Sequence, residues 1–133
     1  MTTFVDTSAF QAVLSETDSG HDRALRWLER TTAEEDEDLV TTNYVVVETS
    51  ALMHARLGGV AVRAFVDDLL PVCSVQYVDA TLHARSVSAY LASLSRRSSL
   101  VDRVSFELMR EMKIRRAFAF HRDFAREGFE TVP

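Results

Sequence analysis

The chain has 133 residues, a formal net charge of −5, 47% hydrophobic residues and 26% charged ones. That length accommodates one domain, residues 1–133, with a real core and no second domain; the composition excludes a disordered chain, and no run of about 18 apolar residues offers a membrane span. Met1-Thr2-Thr3-Phe4 carries no basic region ahead of an apolar stretch, so no signal peptide is expected, and the single cysteine, Cys73, leaves no internal disulfide and makes the cytoplasm the default compartment.

Thr3-Phe4-Val5-Asp6-Thr7-Ser8-Ala9-Phe10 is a short apolar run that ends in a carboxylate and passes into hydroxyl residues able to cap a helix. It predicts a strand feeding a helix, Ala9 to Ser15, with Asp6 at the strand's carboxyl end, where open α/β sheets place their ligands. A second helix is expected over His21 to Arg30, and the acidic run Glu34 to Asp38 as a solvated loop. Leu39 to Thr42 is a short strand. Val45-Val46-Val47 favours a strand by β-branching, but Val45, Leu52 and Met53 recur at helical spacing, so Asn43 to Leu57 is assigned as a helix stopped by Gly58-Gly59. Val60 to Leu70 follows as a helix, then a buried strand opened by Pro71, Val72 to Val78. Asp79 caps a helix to about Leu94, Ser95 to Ser99 is a basic loop, and Ser99 opens a helix to about Met112. Ala117 to Phe120 is a strand, Arg122 to Glu127 a short helix and Thr131-Val132 a last strand. Strands alternating with helices predict an α/β fold with a parallel, doubly wound sheet.

Three carboxylates stand out. Asp6 has a helix-capping reading, although Thr7 and Ser8 are available for that task. Glu48 lies among Tyr44, Val45, Ala51 and Leu52 on an apolar helical stripe, where an unpaired charge is costly without a partner or a cation; the competing reading is a salt-bridged Glu at the stripe's edge. Ser99-x-x-Asp102 matches a capping box, which would explain Asp102 without chemistry, yet Ser105, Phe106 and Met109 on the same face aim it in a partly buried direction. Asp79 is assigned to capping, and His54 and His83 to structural positions within helices. Cys73, inside a strand without a neighbouring histidine, is expected to be a buried thiol. Acids converging from separate strand ends, with no Cys/His ligand spacing, describe an oxygen-rich site for Mg²⁺ or Mn²⁺. Such an ion activates water and neutralises charge developing on a phosphodiester. Without the ion these like charges repel, so neutralising them is expected to raise stability.

The charge is unevenly divided: thirteen acids against five bases up to Asp68, seven against ten beyond it. Arginine dominates the basic half, and its planar fork suits phosphate. Solvated helix faces are the competing reading.

With these residues placed, the chain resembles the PIN-domain ribonucleases, specifically the toxins of VapBC-type toxin–antitoxin pairs. Phe4-Val5-Asp6-Thr7-Ser8-Ala9-Phe10, Glu48 in Val45-Val46-Val47-Glu48-Thr49, the stretch Ser99 to Met109, and the closing Phe118 to Phe129 resemble the family's four motifs in order. One departure is evident: where the family usually carries an aspartate or asparagine after the last motif's strand, this chain has His121, with Asp123 two residues on. Asp123 reaching the ion, His121 binding or orienting a water, and a vacant fourth position are the three readings. The resemblance implies a three-layer α/β/α fold with a short parallel sheet of four to five strands. It implies metal-dependent hydrolysis of RNA, with Asp6 and Asp102 as principal ligands, Glu48 assisting, and Asp123 completing the catalytic set. Ser8 and the arginines Arg96, Arg97, Arg103 and Arg122 are the substrate-binding candidates; Arg115 and Arg116, leading into what is taken as an edge strand, are read as surface charge. A homodimer and a cognate antitoxin covering the site are the implied protein partners. The rival reading is a PIN fold that has lost cleavage and binds a protein partner. A receiver domain would need paired acids after the first strand, and a haloacid-dehalogenase-type phosphatase would need an acid where Ser8 stands.

Overall fold

The computed structural model describes residues Met1–Pro133. Five strands, β1 (Thr2–Val5), β2 (Asp38–Thr42), β3 (Ser74–Gln76), β4 (Arg116–Phe118) and β5 (Glu130–Val132), form one sheet in the order β3-β2-β1-β4-β5. Every pairing is parallel. The connections are made by α1 (Thr7–Leu14), α2 (His21–Thr32), α3 (Asn43–Leu57), α4 (Gly59–Ala64), α5 (Ala80–Leu91), α6 (Leu100–Glu111) and α7 (Asp123–Arg126). The chain starts at the sheet's centre, winds outward to β3, and then crosses back to β4 on the other side of β1. The winding direction therefore reverses between β1 and β4, and the crevice at their carboxyl ends is where such sheets bind ligands.

Apolar packing fixes this arrangement. Phe4 on β1 stacks on Phe124 at 6.3 Å between ring centres, and Phe124 meets Phe106 edge-on at 4.9 Å. Trp27 of α2 lies 4.4 Å from Phe118 of β4, and Phe10 of α1 lies 4.9 Å from Phe65. Thr3, Thr41 and Thr42 are buried strand hydroxyls; Thr41 donates to the Val5 carbonyl at 2.9 Å, satisfying a group that would otherwise be buried at a cost. No helix is long and apolar enough to cross a membrane.

Several boundaries differ from the sequence reading for identifiable reasons. The first helix starts two residues early, because Asp6 is its cap and accepts from the Ser8 amide. The helix after Gly58 ends at Ala64, followed by a π-helical turn, Phe65–Leu69, that fully buries Phe65. Leu70–Val72 is a 3₁₀ turn, with Pro71 continuing the helical path it is pre-set for and Cys73 donating to the Leu70 carbonyl. The expected buried strand Val72 to Val78 thus shrinks to Ser74–Gln76 at the sheet's edge, with none of its residues buried. The acidic run is not all loop: Asp38 begins β2, and Glu37 pairs with Arg116 at 2.9 Å. Arg116 also donates to the Thr3 hydroxyl at 2.9 Å. It lies in a strand flanked on both sides, not at an edge, so it is a structural cation and not surface charge. Gly58 has φ +86° and closes α3 by donating to the Met53 and His54 carbonyls, as the Gly-Gly stop predicts.

Candidate metal centre

Adjacent parallel strands bring the first two components together. β1 ends at Val5 and β4 at Phe118, in register, so Asp6 and the segment Ala119 to His121 leave the sheet side by side. The Asp6 amide donates to the Phe118 carbonyl at 3.1 Å. Asp6 Oδ2 accepts from the Ser8 amide (3.0 Å) and from the Ser8 hydroxyl (2.6 Å), while the Ser8 oxygen accepts from the Phe120 amide at 2.9 Å. Ser8 therefore fixes Asp6 and ties it to the β4–α7 loop. Its hydroxyl is committed inside the site.

Asp102 arrives from the first turn of α6. Its Oδ2 accepts from the Ser99 amide at 2.9 Å, and its own amide donates to Ser99 Oγ at 3.1 Å, forming the capping box that the spacing predicts. The cap occupies Oδ2 and leaves Oδ1 facing His121. Capping and site are two uses of one carboxylate, not competing readings. His121 Nε2 lies 3.4 Å from Asp102 Oδ1 and 3.5 Å from Asp6 Oδ2. One donor atom each from Asp6, Asp102 and His121 falls within 4.8 Å of the others, a group able to hold a metal ion.

Glu48 and Asp123 stand outside that triad. Glu48, one turn into α3, is half-buried, and together with Asn43, Tyr44, Val47 and Val101 it lines an open cavity of about 420 Å³. Asp123 Oδ2 accepts from the Ser98 hydroxyl at 3.0 Å and lies 3.7 Å from His121 Nδ1, and the Asp123 amide nitrogen lies 3.4 Å from the same ring nitrogen. Asp123 thus braces the imidazole from behind. Sequence reasoning left His121 out of the expected ligand set; the available signal was its position immediately beyond the Ala117 to Phe120 apolar run, the equivalent of Asp6 after β1.

The protonation pattern follows from burial and pairing. Burial raises the Asp6 carboxyl above its ordinary value, against the pull of His121 and Ser8. Burial also raises Glu48, with the Thr7 hydroxyl opposing it and Asp6 and Asp102 adding to it. At Asp102 burial acts upward too, yet hydrogen bonds from His121 and Ser99 outweigh it and its pKa is lowered. Pairing with Asp102, reinforced by the charges of Asp6 and Asp123, lifts His121 to about 9 against its burial. Without a metal, an imidazolium sits between the two carboxylates. Burial pushes the Cys73 thiol to about 12, so it is no nucleophile at neutral pH.

The arginine candidates separate. Arg97 and Arg122 are exposed near the site. Arg96, also exposed, reaches Glu127 at 3.3 Å, and with Arg97 and Arg126 it lines a polar cavity of about 440 Å³ that Ser98, Asp123 and Glu127 complete with Ser95. Arg103 does not belong with them: it is buried, 3.0 Å from Glu127 and stacked over Phe106. It ties Glu127, just beyond α7, to α6. Its sequence signature, a charge three residues before a buried aromatic, resembles that of an exposed arginine until the Glu127 partner is placed.

Comparison with known proteins agrees with this geometry. The PIN domain profile matches residues 3–130. The chain is 35% identical over 131 residues to the 23S rRNA-specific endonuclease VapC20 of Mycobacterium tuberculosis, covering 97% of this chain and 96% of that one. The crystal structure of M. tuberculosis VapC20, described as a sarcin–ricin loop cleaving toxin, superposes over the whole of both chains with a TM-score of 0.87 at 32% identity. VapBC2 from Rickettsia felis, bound to a promoter DNA fragment, shares the fold with a TM-score of 0.73 at 11% identity, covering 98% of this chain and 97% of that one. Central parallel sheet, acid-bearing strand ends and full-length similarity converge on one conclusion: the chain belongs to the PIN-domain family.

Proposed function

We propose that the protein is a metal-dependent endoribonuclease, the toxin of a toxin–antitoxin pair, hydrolysing a phosphodiester bond of structured RNA. The observation that carries this reading is the convergence of Asp6, Asp102 and His121 within 4.8 Å at the switch point of the sheet. The full-length relative named as an endonuclease of 23S rRNA supports RNA as the substrate. Asp6 and Asp102 would hold a divalent cation, Mg²⁺ or Mn²⁺, since carboxylate oxygens suit both. Bound there, such an ion activates water and offsets charge on the scissile phosphate. Ser8 and Ser99 aim the two carboxylates at it. Glu48, its pKa raised by burial so that its carboxylate is the more basic, and facing the open side, would accept the proton of the attacking water. Asp123 positions His121. Arg97, Arg122 and Arg126, with Arg96, hold flanking phosphates and give the acidic site an approach for an anion. The cavity beside Glu48, floored by Tyr44, Val47 and Val101, offers an apolar foothold for an antitoxin segment that blocks the site. A second copy of the chain is the expected partner in a homodimer, and the cytoplasm is the compartment in which an rRNA target would be met.

The test is cleavage of an rRNA stem–loop by purified, partner-free protein with Mg²⁺ or Mn²⁺. Cleavage that stops with chelator, and falls by roughly 100-fold or more in Asp6→Asn and Asp102→Asn, is expected. Folded protein that cuts no RNA with either metal overturns the enzyme reading in favour of a partner-binding module.

A further inference from the structure

We propose that His121 is a direct ligand of the metal ion through Nε2, and that this nitrogen shifts the site's preference from Mg²⁺ toward Mn²⁺ and Co²⁺. The proposal rests on the metal-nuclease reading and deepens it. An all-oxygen site is what the family resemblance implies; the third donor here is an imidazole.

Three observations carry it. The first is donor spacing. Two ligand atoms each about 2.1 Å from one ion are about 3.0 Å apart at a right angle and about 3.4 Å apart at the tetrahedral angle. The His121 Nε2 distances to Asp102 Oδ1 and Asp6 Oδ2, 3.4 and 3.5 Å, already match the edge of such a polyhedron. The second is the fixed ring. Its far nitrogen, Nδ1, is backed by the Asp123 carboxylate at 3.7 Å, which is itself held by Ser98 at 3.0 Å. At that distance the Asp123 carboxylate makes no hydrogen bond to the ring, but its charge favours a proton on Nδ1 and so leaves Nε2 as the nitrogen that faces a metal. The ring face is packed edge-on against the fully buried Phe124, with centres 5.2 Å apart. The third is convergence: β1, the first turn of α6 and the β4–α7 loop each deliver one donor to one point. On metal binding Nε2 would release its proton to solvent and offer its lone pair to the ion, with the remaining ring proton on Nδ1 beside the Asp123 carboxylate.

The selectivity follows from the donor atom. Mg²⁺ takes oxygen and keeps its waters, whereas imidazole nitrogen suits later first-row metals. Exchanging a carboxylate for an imidazole also removes one negative charge, and Mg²⁺, bound almost purely by charge, loses most.

Electron spin-echo spectroscopy of the Mn²⁺-loaded protein tests ligation directly. Nitrogen modulation from a bound imidazole is expected in the wild type and absent in His121→Asp. In parallel, calorimetric titration with Mn²⁺ and Mg²⁺ is expected to show the Mn²⁺-over-Mg²⁺ affinity ratio falling by about tenfold in His121→Asp, the scale on which altered metal surroundings act. Mn²⁺ that binds, is lost in Asp6→Asn, and yet shows no nitrogen coupling in the wild type overturns the proposal while leaving the nuclease reading intact. An unchanged ratio in folded His121→Asp overturns the selectivity claim. No Mn²⁺ or Mg²⁺ binding by the wild type overturns both readings together. The spectroscopic arm uses the wild-type chain, so it stands whether or not the variant folds.

Discussion

At the residue scale, His121 is the centre of the charge network, because it is the cation that pairs with both Asp6 and Asp102. In chelator its pKa of about 9 lies above the ordinary histidine value of 6.5. A folded-state pKa raised in this way adds stability that is complete below the unfolded value and is lost as pH rises through the folded one. Urea midpoints of the metal-free protein are therefore expected to fall between pH 6.5 and pH 9.5, and the slope in that window to flatten in His121→Gln. An equal slope in both proteins would assign the pH dependence to other groups. The acids carry opposite signs. Asp102 is held below its ordinary value, so its charge favours the folded state; Asp6 is held above its ordinary value, so its charge opposes it.

At the element scale, α7 is a helix of four residues with no independent stability, and Glu127 just beyond it anchors it. The Glu127 carboxylate accepts from Arg110 at 2.7 Å and pairs with Arg103 at 3.0 Å, both on α6, and with Arg96 at 3.3 Å from the preceding loop. Although burial acts upward on Glu127, the arginines outweigh it and hold its pKa low. Its contribution is thus present above the unfolded value and lost as pH falls through the folded one. Glu127→Gln leaves Arg103, already carrying two buried nitrogens without a protein partner, with no anion at all. A loss of about 3 kcal/mol in chemical denaturation is expected, with much of it recovered when Arg103→Met is added, because methionine removes the stranded charge. On the opposite side, Gly20 is packed so closely on Phe120 that an added Cβ would lie 2.6 Å from the ring. The turn before α2 and the loop carrying His121 are therefore one packed unit, which holds the histidine in place as firmly as its polar partners do.

At the scale of the whole molecule, the stability of the metal-free fold and its response to metal are two measurements of the same site. Simple repulsion among acids predicts that removing either one stabilises the metal-free protein, but the imidazolium between them changes that outcome. In chelator, Asp102→Asn is expected to lower the melting temperature by roughly 3 °C, about 1 kcal/mol for a domain of this length, and Asp6→Asn to leave it unchanged or raise it. Adding Mn²⁺ is expected to raise the wild-type melting temperature through binding to the native state alone, and to do so far less in either variant. Equal metal-induced shifts in all three proteins would count against a shared ion. The same frame bears on how a chain of net charge −5 would admit an anionic substrate. The basic groups Arg96, Arg97 and Arg126 gather beside the site on one loop and one helix.

The alternation of strand and helix signals, the Gly58-Gly59 stop, the Ser99-x-x-Asp102 box and the acid after the first strand were all legible in the chain, because each depends on neighbours within a few residues. That reach was enough to determine the fold class and to single out Asp6, Asp102 and Glu48. Which of them share a point in space depended on strand order. Placing β4 beside β1 sets His121 against Asp6 across 115 residues of chain, turns Asp123 to the rear, and buries Arg103 on Glu127. Long-range partners decide whether a charged side chain is a ligand, a brace or a clamp, and only the tertiary structure supplies those partners.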